Sequence, residues 1–179
     1  IKDYKKMMSM DLKEVDNLVL IIGKTEGHID QSLFARTILD EKNGPPPEVN
    51  LFNEKNNGES ILNLIDKGYV KSAHDISLGG LLVAISKMCI KGNKGIKINK
   101  SKKLINEIEY FFAEDQGRYL IEVNKEDLKE VTKILNKNSV HHEELGIITQ
   151  KDMIINEKTK VTIDELKSYY TNWLSKYMS

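Results

Sequence analysis

The sequence predicts a layered α/β or α+β domain, and three observations predict it. The uninterrupted apolar run Leu18 to Ile22, closed by Gly23, has the length and β-branched content of a buried strand. The segment Leu81 to Ile90 is strongly apolar and has the length of a helix, with Gly92 as its stop. Strand-like and helix-like segments then alternate along the 179 residues, which is the pattern of sheet and helices packed in layers. That length predicts one domain, or one domain with appendages.

Each element follows from its local pattern. Ile29, Leu33, Phe34 and Ile38 share one face at helical spacing. Gly44-Pro-Pro-Pro47 fixes three φ angles and predicts an extended connector. Asn50 is placed to cap the next helix, whose apolar stripe is Leu51, Ile61, Leu62 and Ile65, and Gly68 to end it in the left-handed region. Tyr69 to Ala73 reads as a short strand and His74 to Gly80 as a loop. Lys94 to Asn99 alternates, with Ile96 and Ile98 on one face. A polar stretch precedes the strand Arg118 to Val123. Asn124 then caps a helix carrying Leu128, Val131, Ile134 and Leu135. Val140 to Thr149 and Met153 to Val161 read as two strands. Thr162-Ile-Asp-Glu165 is a capping box that opens a last helix bearing Leu166, Tyr169, Tyr170 and Trp173.

Composition excludes several classes. With 40% apolar and 30% charged residues the chain is neither disordered nor membranous in character. Lys+Arg and Asp+Glu are both 27, and a net charge of zero argues against a dedicated nucleic-acid binder. No apolar run approaches the roughly 20 residues of a membrane span. Residues 1–10 carry no secretory signal. The single cysteine, Cys89, allows no internal disulfide and no cysteine-based zinc site, so a reducing, cytoplasmic setting is expected. Since the chain opens on Ile1 rather than Met, we expect a piece of a longer polypeptide or residues missing before it.

Two segments have residues suited to chemistry. Ser72-Ala-His-Asp-Ile-Ser-Leu-Gly-Gly80 joins the end of a strand to the start of a helix. There free N–H groups suit phosphate, Gly79 and Gly80 allow close approach, and Asp75 suits Mg²⁺. The alternative, which spacing alone favours, is a tight junction in which Asp75 and Ser77 cap the helix. Phe112-Ala-Glu-Asp-Gln-Gly-Arg-Tyr119 places two carboxylates and an amide before a strand, either as ligands for a cation or hydroxyl groups or as a polar turn. His141 and His142 are neighbours on a strand and face opposite ways, which argues against a shared metal. Cys89, beside Met88 and Ile90, reads as a core residue. The lysines Lys91, Lys94, Lys97, Lys100, Lys102 and Lys103 read as a solvated surface that is able to attract phosphate.

Taken in order, seven strings resemble one family. They are Leu18-Val-Leu-Ile-Ile-Gly-Lys-Thr25, Gln31-Ser32, Gly44-Pro-Pro-Pro-Glu-Val-Asn50, Val70-Lys-Ser-Ala-His-Asp-Ile-Ser-Leu-Gly-Gly-Leu81, Phe112-Ala-Glu-Asp-Gln-Gly-Arg-Tyr119, Leu145-Gly146 and Trp173. The chain resembles the last domain of the phosphoribosylformylglycinamidine synthase family (formylglycinamide ribonucleotide amidotransferase), in the synthetase subunit of the small bacterial type. Aminoimidazole ribonucleotide synthetase, selenophosphate synthetase, thiamine-monophosphate kinase and a hydrogenase maturation factor belong to the same superfamily. The prolines and Trp173 favour the amidotransferase.

The resemblance implies a mixed β-sheet flanked by helices, as in the C-terminal domain of the aminoimidazole ribonucleotide synthetase superfamily. It implies two tandem A–B domain pairs, with residues 1–16 a remnant or linker from an ATP-binding A domain and 17–179 the second B domain. The reaction it implies is ATP-dependent: formylglycinamide ribonucleotide and ammonia from glutamine give the amidine, with ATP and Mg²⁺ as cofactors. Catalytic groups are implied to lie in the A domains, so none is assigned here and the isolated chain is expected to be inactive. By internal duplication, Asp75, Ser77, Gly79, Gly80, Glu114, Asp115 and Gln116 match a nucleotide or phosphate site that is vestigial in this copy, with Asp75 the metal ligand. The implied partners are the preceding A and B domains, a glutaminase subunit and a small bridging subunit. Leu78 stands where the family has Asp or Glu, and Asp30 where it has Gly. These departures bear on ligand binding more than on fold. Two other readings remain: a scaffold or interaction module, and the B domain of another superfamily member.

Overall fold

The computed structural model describes residues 3–98 and 106–178. Its frame is a seven-stranded sheet in the order β2-β4-β1-β5-β3-β6-β7. The strands are β1 (Leu18–Ile22), β2 (Val70–Asp75), β3 (Gly95–Ile98), β4 (Tyr119–Val123), β5 (His142–Thr149), β6 (Asp152–Ile155) and β7 (Thr159–Thr162). All neighbours are antiparallel except β3 and β6, which makes the sheet mixed, as expected.

The apolar run of β1 is explained by its place at the centre of the sheet, with both faces covered. Val19 and Ile21 enter one core, with Leu81, Ile85 and Met88 of α3 (Gly80–Gly92) and Tyr110 and Phe111 of α4 (Glu107–Phe112). Leu18, Leu20 and Ile22 enter the other, with Ile61 and Leu64 of α2 (Leu51–Asp66) and Val131 and Leu135 of α5 (Leu128–Lys137). Period-two alternation along one strand thus divides the domain into two helical layers. The last helix, α6 (Ile163–Met178), packs on α3 and β7, with Ile163 in the α3 core and Leu166 against it. Among the described residues, no helix is long and apolar enough to cross a membrane.

Local signals set most boundaries. Asn50 Oδ1 accepts from Asn53 N–H at 3.0 Å, and Gly68 closes the far end of α2 at φ +80. In the capping box, Glu165 N–H donates to Thr162 Oγ1 at 3.2 Å and Thr162 N–H to Glu165 Oε2 at 2.8 Å. Ile96 and Ile98 are fully buried. Asn99 and the lysines Lys100, Lys102 and Lys103 lie outside the described residues.

Five expectations are corrected. The helix expected over Ile29 to Ile38 is only α1 (Leu33–Thr37), because Gln31 takes φ +62 and Ser32 caps the turn through Ala35 N–H. The polar stretch before β4 contains α4, capped by Asn106. Helix α5 starts at Leu128, since residues 124–127 form a turn closed by Asp127 N–H on Asn124 O. Strand β2 runs on to Asp75. The single strand expected from Met153 to Val161 is a hairpin, with Asn156 at φ +51 and Glu157 at φ +58, the two positive values of a type I′ turn.

The segment before β1 is woven into this frame. Leu12 is 1% exposed and lies in the α3 core with Met10, whereas Met8 packs in the opposite core. Between them Ser9 O accepts from Ala73 N–H at 3.1 Å, on the outer edge of β2. Further along, the Glu122 carboxylate accepts from Lys13 N–H, Glu14 N–H, Asn17 Nδ2–H and Ser72 Oγ–H at 2.7–3.1 Å.

Candidate functional site: two hollows joined at Glu54

Residues Ala113–Arg118 connect α4 to β4 and gather three loops. The Asp115 side chain is buried and accepts from the backbone N–H groups of Glu26, Gly27 and His28 at 3.0–3.2 Å. Successive N–H groups aimed at one point form an anion nest, and here the protein's own carboxylate fills it. Glu114 Oε1 accepts from Leu33 N–H at 2.7 Å and Gly79 N–H at 2.8 Å, tying α1 to the turn before α3. Arg118, 1% exposed, donates to Ala113 O, Thr25 Oγ1 and Asp115 O. Burial lowers its pKa, and the neighbouring Asp115 carboxylate opposes that shift.

The diglycine bend follows from the same packing. At Gly80, φ is +71 and an added Cβ would lie 2.7 Å from Ala113 O. No side chain fits where this turn presses on the α4–β4 connection. Neither Asp75 nor Ser77 caps α3 through its side chain: Gly79 N–H goes to Glu114, and Gly80 N–H goes to the carbonyl of Ser77. The capping reading is thereby corrected, because a carboxylate 35 residues away in sequence takes the N–H first.

Asp75, Ser77, Glu114 and Gln116 line one hollow of about 280 Å³. Asp115 and Gln116 also border a larger one of about 700 Å³. Gly79 and Gly80 line neither and shape the bend. Leu78, 52% exposed, stands on the wall of the smaller hollow. Asp75 is exposed and lies 3.3 Å from His74 Nδ1, whose pKa is lowered chiefly by burial. The Tyr119 hydroxyl is pushed up by burial, then by the charges of Glu54 and Asp75.

Glu54, Gln116 and Gly117 line both hollows and join them. The sequence reading passed over Glu54, Asn53 and Asn57, having followed only the apolar stripe of α2. A signal was available: Asn50, Asn53, Glu54 and Asn57 stand at i, i+3, i+4 and i+7, one polar face of the same helix. His141 and His142 do not converge, since their Nδ1 atoms bond Gly23 O and Val140 O separately. Among the described residues no group of three or more His, Cys, Asp or Glu side chains is placed to hold a metal ion. Cys89 is fully buried, and Lys97 is ion-paired with Glu157 at 2.7 Å.

Comparison with known proteins places the chain in a family. The chain is 65% identical over 178 residues to phosphoribosylformylglycinamidine synthase subunit PurL of Pelagibacter ubique, covering 99% of this chain and 24% of that protein. It is 34% identical over 178 residues to the subunit of the same name from Bartonella henselae, again covering 24% of that protein. It spans about a quarter of the length of these curated relatives. Thermotoga maritima PurL complexed with FGAR superposes with a TM-score of 0.74 at 18% identity, over 91% of this chain and 30% of that one. The hydrogenase maturation protein HypE of E. coli gives 0.63 at 16% identity, over 87% and 52% of the two chains. Both share the fold. Residues 14–156 match the family described as AIR synthase related protein, C-terminal domain, and the chain belongs to that family.

Proposed function

We propose that this chain is the last B-type domain, residues 17–179, of a longer cytoplasmic, ATP-dependent synthetase of purine biosynthesis. That enzyme converts formylglycinamide ribonucleotide and ammonia from glutamine to the amidine. Residues 1–16 lead in from a preceding A domain. One observation carries the reading: 65% identity over 99% of the chain to a protein named phosphoribosylformylglycinamidine synthase subunit PurL. Catalytic groups reside elsewhere in the polypeptide, and a glutaminase and a small bridging subunit deliver ammonia. The neighbouring T. maritima structure titled PurLQS supports an assembly of this kind.

ATP and Mg²⁺ serve the full-length enzyme. In this domain Asp75 fits a Mg²⁺ ion that takes one carboxylate and completes its shell with water and phosphate oxygens. Ser77 and Gln116 border the same hollow and suit hydrogen bonds to a nucleotide. Glu114 and Asp115 fit less well, because each already accepts backbone N–H groups. The site is accordingly vestigial. A second role as a docking scaffold is supported by α6, where Tyr169, Trp173 and Tyr177 are 61–80% exposed at i, i+4 and i+8.

The test compares residues 1–179 with a longer polypeptide that carries the same domain. Only the longer one is expected to form the amidine from formylglycinamide ribonucleotide, ATP, Mg²⁺ and ammonia. Robust turnover by residues 1–179 alone, or none by the longer polypeptide, overturns the assignment. Within the domain, Asp75→Ala is expected to weaken Mg-ADP binding by about 1–3 kcal/mol in calorimetry.

A further inference from the structure

We propose that Asn43 is a site of covalent self-modification: its side-chain amide is lost as ammonia, and the isoaspartate or aspartate left behind loosens a loop that Gln31 holds. The proposal does not depend on the synthetase assignment.

The sequence holds two Asn-Gly pairs, Asn43-Gly44 and Asn57-Gly58. A glycine after asparagine leaves its own backbone nitrogen free to reach the side-chain carbonyl, because no Cβ hinders the approach. The Gly44 nitrogen forms a bond to Asn43 Cγ, the Cγ–Nδ2 bond breaks, and the proton of the Gly44 N–H leaves with Nδ2 as ammonia. Water then opens the five-membered imide. Opening at Cγ gives aspartate. Opening at the backbone carbonyl gives isoaspartate, whose main chain runs through Cβ and Cγ. Nothing is oxidised or reduced, and water is the one co-reactant.

The fold separates the two pairs. Asn43 and Gly44 are exposed and lie outside any helix or strand. Among the described residues neither the Asn43 side chain nor the Gly44 N–H has a hydrogen-bond partner, so both reacting groups are free. Asn57 lies within α2 and is 6% exposed, and its Nδ2 donates to Gly117 O at 2.9 Å. The Gly58 nitrogen belongs to the same helix, whose backbone fixes its position.

The surroundings of Asn43 give its conversion a structural consequence. Gln31 Nε2 donates to Lys42 O at 2.8 Å and to Gly44 O at 3.1 Å, so one amide grips carbonyls on both sides of Asn43. Isoaspartate adds a main-chain carbon between those carbonyls and changes their spacing. Either product also adds a negative charge next to Gly44, which lies so close to Asp30 that an added Cβ would meet Asp30 Cγ at 2.5 Å. Two carboxylates brought together there repel each other.

The test holds the 179-residue chain in warm, mildly alkaline buffer and follows it by peptide mapping. The readouts are a mass gain of about 1 Da and methylation by an isoaspartyl methyltransferase. In the folded chain Asn43 is expected to convert at least tenfold faster than Asn57, and in urea the two should convert at similar rates. Asn43→Gln, whose ring would need six members, should abolish the signal at this position with circular dichroism unchanged. After conversion the Gln31 side-chain amide resonances should move toward those of an exposed glutamine. An Asn43 that stays intact, or conversion of both asparagines at one rate in the folded chain, overturns the proposal. So does an equally large difference in urea, which would assign the selectivity to neighbouring residues rather than to the fold. Gln31 resonances that are the same before and after conversion would also overturn it, because the grip would have survived.

Discussion

Three carboxylates, Glu114, Asp115 and Glu122, direct their oxygens at N–H groups of other segments rather than at solvent. Glu122 shows the consequence most clearly. Its four donors come from residues 50 to 109 positions away, and it is fully buried. Glu122→Ala leaves all four donors unmatched, and loss of a buried charged acceptor is worth about 3 kcal/mol or more. The urea midpoint of the variant is expected to fall while the slope stays the same. An unchanged midpoint would show that water replaces the carboxylate at no loss. In the sequence Glu122 is one alternating residue of a short strand, and nothing local marks it. Asp115 and Glu114 were legible as a polar turn, but not their partners, because those partners exist only once the three loops meet.

At the scale of elements, the short-range rules held at some caps and strands and failed at others, the expected Asn124 cap among them. The Asn50 cap, the Thr162–Glu165 box and the buried face of β3 all follow from spacing. They failed at α1, α4 and the β6–β7 hairpin, where backbone at positive φ or contact with the sheet decided the outcome. The segment before β1 is the largest surprise. It wraps the edge of β2, with Met8 on one face of the sheet and Met10 and Leu12 on the other. An uncovered edge strand is a template for aggregation, and this segment partly covers it. Leu12→Ala should destabilise the domain by about 2–5 kcal/mol, as expected for truncating a fully buried leucine. Thermal or urea unfolding checks this. A loss under about 1 kcal/mol would mean that the segment is only lightly attached.

For the whole molecule, the enclosed thiol of Cys89 ties stability to pH. Burial pushes it up to about 12 from an ordinary 9.0. Between those values the unfolded chain releases a proton that the folded state keeps. The stabilisation is complete below pH 9 and is lost as pH rises toward 12, by about 1 kcal/mol per unit from this group. Tyr119, raised from an ordinary 10.0 chiefly by burial, acts in the same direction once the pH passes 10. Unfolding midpoints measured from pH 8 upward, with the pH values of about 9 to 11 as the informative range, should decline in the parent and decline less steeply in Cys89→Ala. Parallel curves for the two proteins would rule out the thiol as the cause.

The sequence by itself determined the class of fold, the central strand, the main helices and the kinship, because periodicity and ordered strings are local and survive in one dimension. It also identified Asp75, Ser77, Glu114 and Gln116, which come to share one hollow. Tertiary structure alone decided what those groups are free to do. Packing three loops against the α4–β4 connection committed Glu114 and Asp115 to backbone N–H groups, and it left Glu54, an unremarked helix residue that lines both hollows, without a cationic partner among the described residues. Availability of a charged group depends on which donors reach it first, and that is settled by contacts between residues far apart along the chain.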